Sequence, residues 1–478
     1  MKNPISTYIQ NWQVNTATSI ITGPALLLAF FSASCEEPIE VESDLVPGGN
    51  NTEIRYIEIP LEVKHSAFDS LLISSTNVNE GSRRQVFVGH QNSPEIGDFS
   101  AQAYFGALLD NEAIRDSVKA GSQVIETKLF LDFNYFYGND YNNSQQFKLY
   151  QLDNILQLRD GNYTIYDEIN TDEIVSIDEN TFLNPIDTIP SFINLKDNLG
   201  EKLLNLARNK DLNLEDTYDS LKGFKLEVEP GQNNLQAFNL ASGDSYFEVI
   251  YQSPTADTLQ SVRFNLVGSS FTHIDFQPGS LIPNNYNEGK TFELTDPSKA
   301  YFNNLLGISP TLNLDPYLSF IDTVDYMQIN KAELTIEDQG FNVVDNRSEQ
   351  FRPIQNMVPY ILNEEGNFSK KGEDFWAIQN NFNSNGAIAN PNGGRFPGSL
   401  NYDDNKKSIR GDISFFLQEI YNDPSFWEDE NRIIFTGQFI LRNSDPFIET
   451  PKINIGNFDS FLVNKENIKL KIYYTTFK

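Results

Sequence analysis

The residue whose type and surroundings most directly predict covalent chemistry is Cys35. It is the single cysteine among 478 residues, and it follows the apolar run 24–31 and the small residues Ser32-Ala33-Ser34. Such a run is typical of a secretory signal and is too short for a membrane-spanning helix. Small residues before a cysteine let a lipoprotein signal peptidase reach the peptide bond, and the thiol is the nucleophile that takes a diacylglyceryl group. The pattern predicts a lipoprotein signal peptide at 1–34 and a lipid on Cys35; the alternative is an ordinary cleaved signal that leaves a free thiol.

The segment after the cysteine has the composition of a tether. Residues 36–44 are strongly acidic and lead to Pro47-Gly48-Gly49, with no helical or strand periodicity. Chains of this composition stay extended and solvated. We therefore predict that residues 35–53 form a flexible acidic tether between the lipid and a folded body.

Catalytic chemistry finds little support in the sequence. The three histidines, His65, His90 and His273, have no spacing that would place two of them on one face of a strand or helix. Neither a histidine metal site nor a nucleophile–histidine dyad is predicted. With 66 acidic residues, chance carboxylate pairs are common, so no pair can be assigned to glycoside hydrolysis. We predict no enzyme, and no cofactor other than the covalent lipid.

Structural calcium is a candidate because hard cations prefer carboxylate and carbonyl oxygens from loops. The acidic loop clusters that could supply such oxygens are 139–143, 401–405, and Asp423 with 428–430. None has the spacing of an EF-hand. Solvated acidic turns are the interpretation that we favour, and no metal ligand is assigned.

A glycan is the candidate ligand for the longest irregular stretch, residues 379–405. Long loops on β-sandwiches often carry binding sites, and aromatic side chains beside Asn and Asp suit sugar recognition. The candidate contacts are Trp376, Tyr402 and Asp403. The same composition also suits an insertion without a ligand, and Trp376 could equally be a core residue.

The tripeptide Arg410-Gly411-Asp412 matches a cell-adhesion motif. A short helical pattern begins directly after it, at Ile413, and Asp is a favoured helix N-cap. We therefore predict that Asp412 caps a helix.

Composition predicts a β-rich body and excludes two classes of partner. A net charge of −31 repels nucleic acid and anionic lipid headgroups. A 39% hydrophobic fraction with 36 Phe and 21 Tyr is enough for a large core, and aromatic and β-branched residues favour strands. One cysteine permits no internal disulfide.

Two halves of the chain share landmarks in the same order, which is the signature of a repeat. The pairs are 103–105 with 300–302, 128–131 with 333–336, 147–152 with 357–362, a helical pattern at 200–209 with one at 412–421, 223–228 with 437–441, and 247–251 with 470–474. Each half contains short alternating strands and turn-rich loops. This pattern predicts an all-β fold of two jelly-roll-like antiparallel β-sandwich domains, 54–283 and 284–478, related by internal duplication and each with one short helix.

Several of these segments resemble the DUF4270 lipoproteins of Bacteroidota. The resemblance lies in the lipidated cysteine, residues 43–48, 94–99 before 103–105, 221–224 and 470–474, and it spans nearly the whole mature chain. It implies an envelope lipoprotein with β-rich domains, and it supplies no activity, because the family is one of unknown function. The acidic residues 36–44 resemble the signal by which Bacteroidota lipoproteins are displayed on the outer face of the outer membrane. We expect a lipid-anchored outer-membrane protein at the cell surface, with the periplasmic face as the alternative.

These features favour a non-catalytic interaction or structural module, accessory to an envelope protein complex or an export machinery. The expected partners are the membrane, through the lipid, and other envelope proteins. The alternative function is that of a surface glycan-binding protein that uses loops of the second domain.

Overall fold

Strands make up most of the described chain. The computed structural model describes residues 52–67, 85–138, 146–156, 163–175, 191–229, 231, 233–240, 242–287, 291–303, 305–337, 356–363, 369–371, 374–375, 378, 400–403, 405–424, 432–436, 440–441, 452–453 and 460–477. In chain order the strands are β1 (Thr52–Pro60), β2 (Glu62–Ala67), β3 (Gln85–Ser93), β4 (Gly97–Leu109), β5 (Gln123–Leu131), β6 (Phe133–Gly138), β7 (Phe147–Leu152), β8 (Thr171–Val175), β9 (Ser191–Leu195), β10 (Phe224–Val228), β11 (Asn234–Asn239), β12 (Tyr246–Gln252), β13 (Gln260–Pro278), β14 (Lys299–Asn303), β15 (Ile308–Asn313), β16 (Gln328–Glu337), β17 (Asn356–Leu362), β18 (Lys370–Lys371), β19 (Asp374–Phe375), β20 (Leu400–Asp403), β21 (Ser408–Asp412), β22 (Arg432–Thr436), β23 (Ile440–Leu441), β24 (Lys452–Ile453), β25 (Ser460–Asn464) and β26 (Ile468–Phe477).

Most of these strands belong to two large antiparallel sheets, so the predicted all-β class is confirmed. The first sheet has the order β6-β11-β3-β4-β13-β12-β5-β9, and a branch of β10, β7 and β8 leaves it at β4. The second sheet has the order β1-β26-β16-β21-β20-β17-β22-β15-β14-β25, with β2 paired to β15. In the first sheet, β3 pairs with residues 97–101 of β4 and β10 with residues 103–105, so two strands share one edge of β4.

The first two strands do not join the first sheet. The predicted first domain begins at residue 54, but β2 pairs with β15 and β1 lies beside β26 in the second sheet. Burial explains this pairing, because Ile59, Leu61 and Val63 pack into the core of the second sheet. The division of the chain into domains at 283 and 284 stays a prediction.

Each half of the chain contributes two α-helices to the described residues, so the prediction of one short helix per half was wrong. The helices are α1 (Asp197–Arg208), α2 (Leu214–Leu221), α3 (Asp315–Ile321) and α4 (Ser414–Asn422), with short 3-10 helices at Glu112–Asp116 and Lys465–Asn467. Helices α2 and α3 have only eight and seven residues, too few turns for a clear periodic pattern. None of the helices in the described part of the chain is long and apolar enough to cross a membrane.

Helix α2 begins at a capping box. The Asn213 side chain accepts a hydrogen bond from the Asp216 backbone N–H at 2.8 Å, and the Asp216 carboxylate accepts one from the Asn213 backbone N–H at 3.2 Å. Both donors would otherwise lack partners at the helix start. The capped helix places buried Tyr218 against Gly106 of β4 and Gly268 of β13.

The three largest clusters of buried apolar side chains among the described residues hold the sheets together. The first-sheet core includes Leu129 and Phe247, and the second-sheet core includes Leu334, Ile361 and Ile472. A third cluster contains residues from both sheets.

The third cluster, named here the shared core, contains Phe99 and Leu235 from the first sheet together with Tyr301, Leu305 and Ile308 from the segment of β14 and β15. Burial of this apolar surface joins the two sheets. Residues Ile54–Thr476 accordingly form one compact unit.

Candidate functional site

Two of the predicted site residues lie outside the described residues, namely Cys35 and Trp376. The lipid anchor and the tryptophan contact therefore stay predictions. The other two, Tyr402 and Asp403, are neighbours at the end of β20.

Tyr402 and Asp403 both have structural contacts. Tyr402 is half-buried and packs against the second-sheet core. The Asp403 carboxylate accepts hydrogen bonds from the backbone N–H groups of Asn405 at 3.0 Å and Lys406 at 3.2 Å. This is the way an Asp side chain stabilises a tight turn, here the turn from β20 to β21. Their contact with a glycan stays a prediction.

The three histidines lie in separate environments. His65 is fully buried, and its Nε2 accepts the backbone N–H of Tyr301 at 3.0 Å. His90 pairs with Asp98 at 2.5 Å, and His273 lies 3.4 Å from Asp275. Among the described residues, no three His, Cys, Asp or Glu side chains are grouped so that they could hold a metal ion.

The predicted calcium clusters are only partly described. Residues 139–143 and 428–430 lie outside the described residues, as does Asp404. Asp423 is exposed at the end of α4. Calcium binding at these loops stays a prediction.

The adhesion tripeptide lies in a paired strand. Arg410 and Gly411 belong to β21 and pair with Thr335 and Leu334 of β16. The Asp412 carboxylate accepts a hydrogen bond from the backbone N–H of Ser414 at 2.9 Å. Helix α4 begins at Ser414, one residue later than predicted, and Ile413 occupies its N-cap position. The prediction that Asp412 is the N-cap was therefore wrong, although its carboxylate accepts the first N–H of the helix.

A row of aromatic side chains on the solvent side of the first sheet was not recognised in the sequence. Phe192, Phe130 and Tyr246 are register partners in the adjacent strands β9, β5 and β12. The ring centroids are 5.5 Å apart for Phe192 and Phe130 and 4.7 Å apart for Phe130 and Tyr246. The adjacent Leu129 and Ile193 belong to the first-sheet core, and because strand side chains alternate, the three rings face away from that core. We name these three residues the aromatic row.

Cations cover the two ends of the aromatic row. The Lys128 ammonium lies 4.6 Å from the ring centroid of Phe192, and the Arg263 guanidinium lies 4.2 Å from that of Tyr246. Arg263 also lies 3.3 Å from the Glu248 carboxylate. Cation–π attraction at exposed positions contributes about 0.5–1 kcal/mol. These contacts orient the charged side chains around the rings.

The exposure of the aromatic row decreases from one end to the other. Phe192 is 37% exposed, whereas Tyr246 beneath Arg263 is only 8% exposed. Aromatic rings and arginine are the side chains enriched in protein–protein interfaces. The arrangement can bind a partner through stacking, apolar contact and charge.

Comparison of the chain with protein-family models, with curated proteins and with solved structures finds no match.

Proposed function

We propose that this chain is a non-catalytic interaction protein, anchored to the outer membrane by a lipid on Cys35, and that the aromatic row contacts another envelope protein. The observation that carries the proposal is the 37% exposure of Phe192 on the solvent side of an ordered sheet. Its neighbours are a second ring and Lys128. A partner that covered these rings would gain apolar burial at a position held rigid by the core behind it.

The location and ancestry in the proposal rest on the sequence. The signal at 1–34, the acidic residues after Cys35 and the resemblance to DUF4270 lipoproteins support a surface-displayed envelope protein. Within this proposal the two sheets are duplicated units, and the protein is accessory to an envelope complex or export machinery. No cofactor beyond the lipid is required.

The test is recovery of a partner from solubilised outer membranes after crosslinking, using the full chain with an affinity tag. We expect Phe192→Asp to lower partner recovery about tenfold or more, because the new carboxylate would be buried against apolar surface. The matched control is Leu259→Asp, since Leu259 is a 55% exposed apolar residue outside the aromatic row. Equal recovery with both variants would remove the aromatic row from the proposal.

A glycan ligand is the second candidate. It is favoured by the partial exposure of Tyr402 and Asp403, adjacent at the end of the strand that follows residues 379–399. A polysaccharide retention assay should show binding that Trp376→Ala and Tyr402→Ala both weaken, with Phe192→Asp as the control. Binding that is unchanged in the Trp376 and Tyr402 variants would exclude these contacts.

A further inference from the structure

The strand pairings of the two sheets correspond strand by strand. The pattern β9-β5-β12 in the first sheet has the counterpart β21-β16-β26 in the second. Likewise β4-β10-β7 corresponds to β15-β22-β17, and the hairpin of β3 and β4 corresponds to that of β14 and β15. Strand β11 beside β3 corresponds to β25 beside β14. Strand β8 beside β7 corresponds to β20 beside β17. Among the described strands, β6 and the short β18, β19, β23 and β24 have no counterpart.

The helices follow the same correspondence. In the first half, α1 directly follows β9 and packs on β5. In the second half, α4 directly follows β21 and packs on β16. The Ser414 side chain in the first turn of α4 accepts the backbone N–H of Ala332 in β16 at 2.7 Å. Helix packing therefore supports the strand assignment independently of the sheet order.

Two landmark pairs of the sequence do not fit this correspondence. Residues 223–228 contain β10, whose counterpart by pairing is β22 (Arg432–Thr436) and not the predicted segment 437–441. Residues 103–105 lie in β4 and residues 300–302 lie in β14. By its pairings, however, β4 corresponds to β15 and β14 corresponds to β3. The similarity of these two tripeptides is therefore not positional.

The place of one long strand is filled differently in the two sheets. In the first sheet, β13 pairs through residues 260–265 with β12 and through residues 264–278 with β4. In the second sheet, the neighbour of β26 is β1, and the neighbour of β15 is β2. The consecutive strands β1 and β2 together occupy the place that β13 occupies in the first sheet.

Both versions are irregular close to the place where the neighbour changes. The pairing of β13 with β12 ends at Asn265, and its pairing with β4 shifts register between Val267 and Phe271. The N-terminal segment is interrupted at Leu61, directly after Pro60 at the end of β1. Proline lacks the N–H that a continuous ladder needs. A break at this point lets one segment pair first with one strand and then with another.

The side chains of β1 and β2 complete the second sheet. Leu61 and Val63 are buried in the second-sheet core. The Ser66 hydroxyl lies 2.8 Å from the Thr311 hydroxyl of β15. On β1, Glu58 accepts a hydrogen bond from Lys469 of β26 at 2.6 Å, and this contact lowers the pKa of Glu58.

We infer that residues 52–67 are the closing strand of the second unit, supplied from the N-terminal side of the first unit. The inference rests on the duplication within the proposed function. Residues 52–67 follow directly after the predicted tether and are held in the second sheet. In the chain, the residues of the first sheet lie between this segment and the rest of the second sheet. The tether therefore transmits any pull on it to the second sheet.

The direction of β1 makes the inference testable by moving the segment. Tyr56 stacks near Tyr473 with centroids 4.7 Å apart, and Glu58 contacts Lys469. Residue numbers thus rise along β1 as they fall along β26, so the strands are antiparallel. The start of β1 lies beside the end of β26, as the start of β13 lies beside the end of β12.

The experiment compares three forms of the full chain by thermal unfolding. The first form is unchanged, and the second lacks residues 52–67. The third also lacks them at their original place but carries them after residue 478, joined by a seven-residue linker. This is the length of the connection between β12 and β13. We expect the deletion to lower the midpoint strongly, and the relocated segment to restore it to within about 3 °C. Failure of the relocated segment to restore the midpoint would overturn the inference, as would a deletion that changes nothing.

A second measurement avoids variants that fail to fold. A protease site placed within residues 68–84 of the otherwise unchanged chain allows cleavage after folding. The N-terminal fragment should remain bound to the body in size-exclusion chromatography and separate in urea. Release of the fragment without urea would overturn the inference. Neither measurement depends on a partner or on Phe192, so a failure of the proposed interaction leaves these results independent.

Discussion

At the scale of a single residue, the packing of β2 in the second sheet fixes the protonation state of the His65 imidazole. Its side chain is fully buried between β2 and β14, and Nε2 accepts the Tyr301 backbone N–H. Burial, aided by the charge of Lys465, lowers the pKa of His65 from its ordinary 6.5 to about 3. An acceptor nitrogen cannot also carry a proton, so the folded protein holds a neutral imidazole.

This pKa shift predicts a loss of stability in acid. As pH falls below 6.5, the unfolded chain binds a proton at His65 that the folded chain does not bind until about pH 3. The free energy of unfolding therefore decreases through this window, by at most about 1.4 kcal/mol per pH unit. We expect His65→Gln to be less stable at neutral pH but to lose less stability between about pH 7.5 and about pH 5.5. Urea unfolding at both pH values measures this difference.

The control for His65 is His90→Gln, because His90 lies on the sheet surface beside Asp98. This variant should keep the pH dependence attributed to His65. If His65→Gln had the same pH dependence as the unchanged chain, the buried neutral histidine would be contradicted.

At the scale of elements, helix α2 packs where β4 and β13 change register. A Cβ atom on Gly268 would lie 2.4 Å from the Tyr218 hydroxyl, and one on Gly106 would lie 2.4 Å from the Tyr218 ring. Gly268 also has a φ of +84°, which L-residues rarely adopt. The glycines thus permit the close approach of α2 to the sheet.

We predict that Gly268→Ala destabilises the protein by about 3 kcal/mol or more, because it adds overlap with Tyr218 to the cost of a positive φ. Gly121→Ala is the matched control, since Gly121 has a φ of +85° but only the Pro254 side chain at 3.8 Å nearby. The control should cost about 1–2 kcal/mol. Urea unfolding of the two variants decides the matter, and equal costs would show that Tyr218 moves aside freely.

At the scale of the whole molecule, residues 54–476 form one compact unit in which the shared core joins the sheets. The chain also enters the second sheet through β1 and β2, forms the first sheet, and then returns to complete the second. Local unfolding of one sheet would therefore expose buried surface of the other. This arrangement couples their stabilities.

Because of this coupling, we expect one calorimetric unfolding transition for these residues. Leu129→Ala in the first-sheet core and Leu334→Ala in the second-sheet core should each lower that single midpoint, since each removes about 2–5 kcal/mol of burial and packing. Exposed Leu259→Ala serves as the control and should change it little. Two transitions, each sensitive to only one core substitution, would contradict the coupling and favour two independent domains.

Local patterns explain what could be predicted. Alternation within single segments identified β5, β7, β12 and β26, and the periodic apolar residues of α1 and α4 identified both longer helices. These signals arise within a few residues, so they survive in the sequence. The short helices α2 and α3 do not stand out in the sequence because eight and seven residues span too few turns for a clear periodic pattern.

The aromatic row could not be predicted for a different reason. Phe130, Phe192 and Tyr246 are distant in the chain, and they meet only because β5 lies between β9 and β12 in one register. A shift of one residue in either pairing would turn a ring toward the core. Register depends on nonlocal burial, which no single segment encodes.

The sequence by itself determined the strand content, the acidic surface and the expectation of a lipid at Cys35, because composition and alternation act locally. Only the tertiary structure decided which sheet receives β1 and β2. Their alternation suits either sheet, but Leu61 and Val63 find their burial in the second-sheet core. Packing between residues far apart in the chain decides between the two sheets, because the pairing that buries the most apolar surface is the most stable.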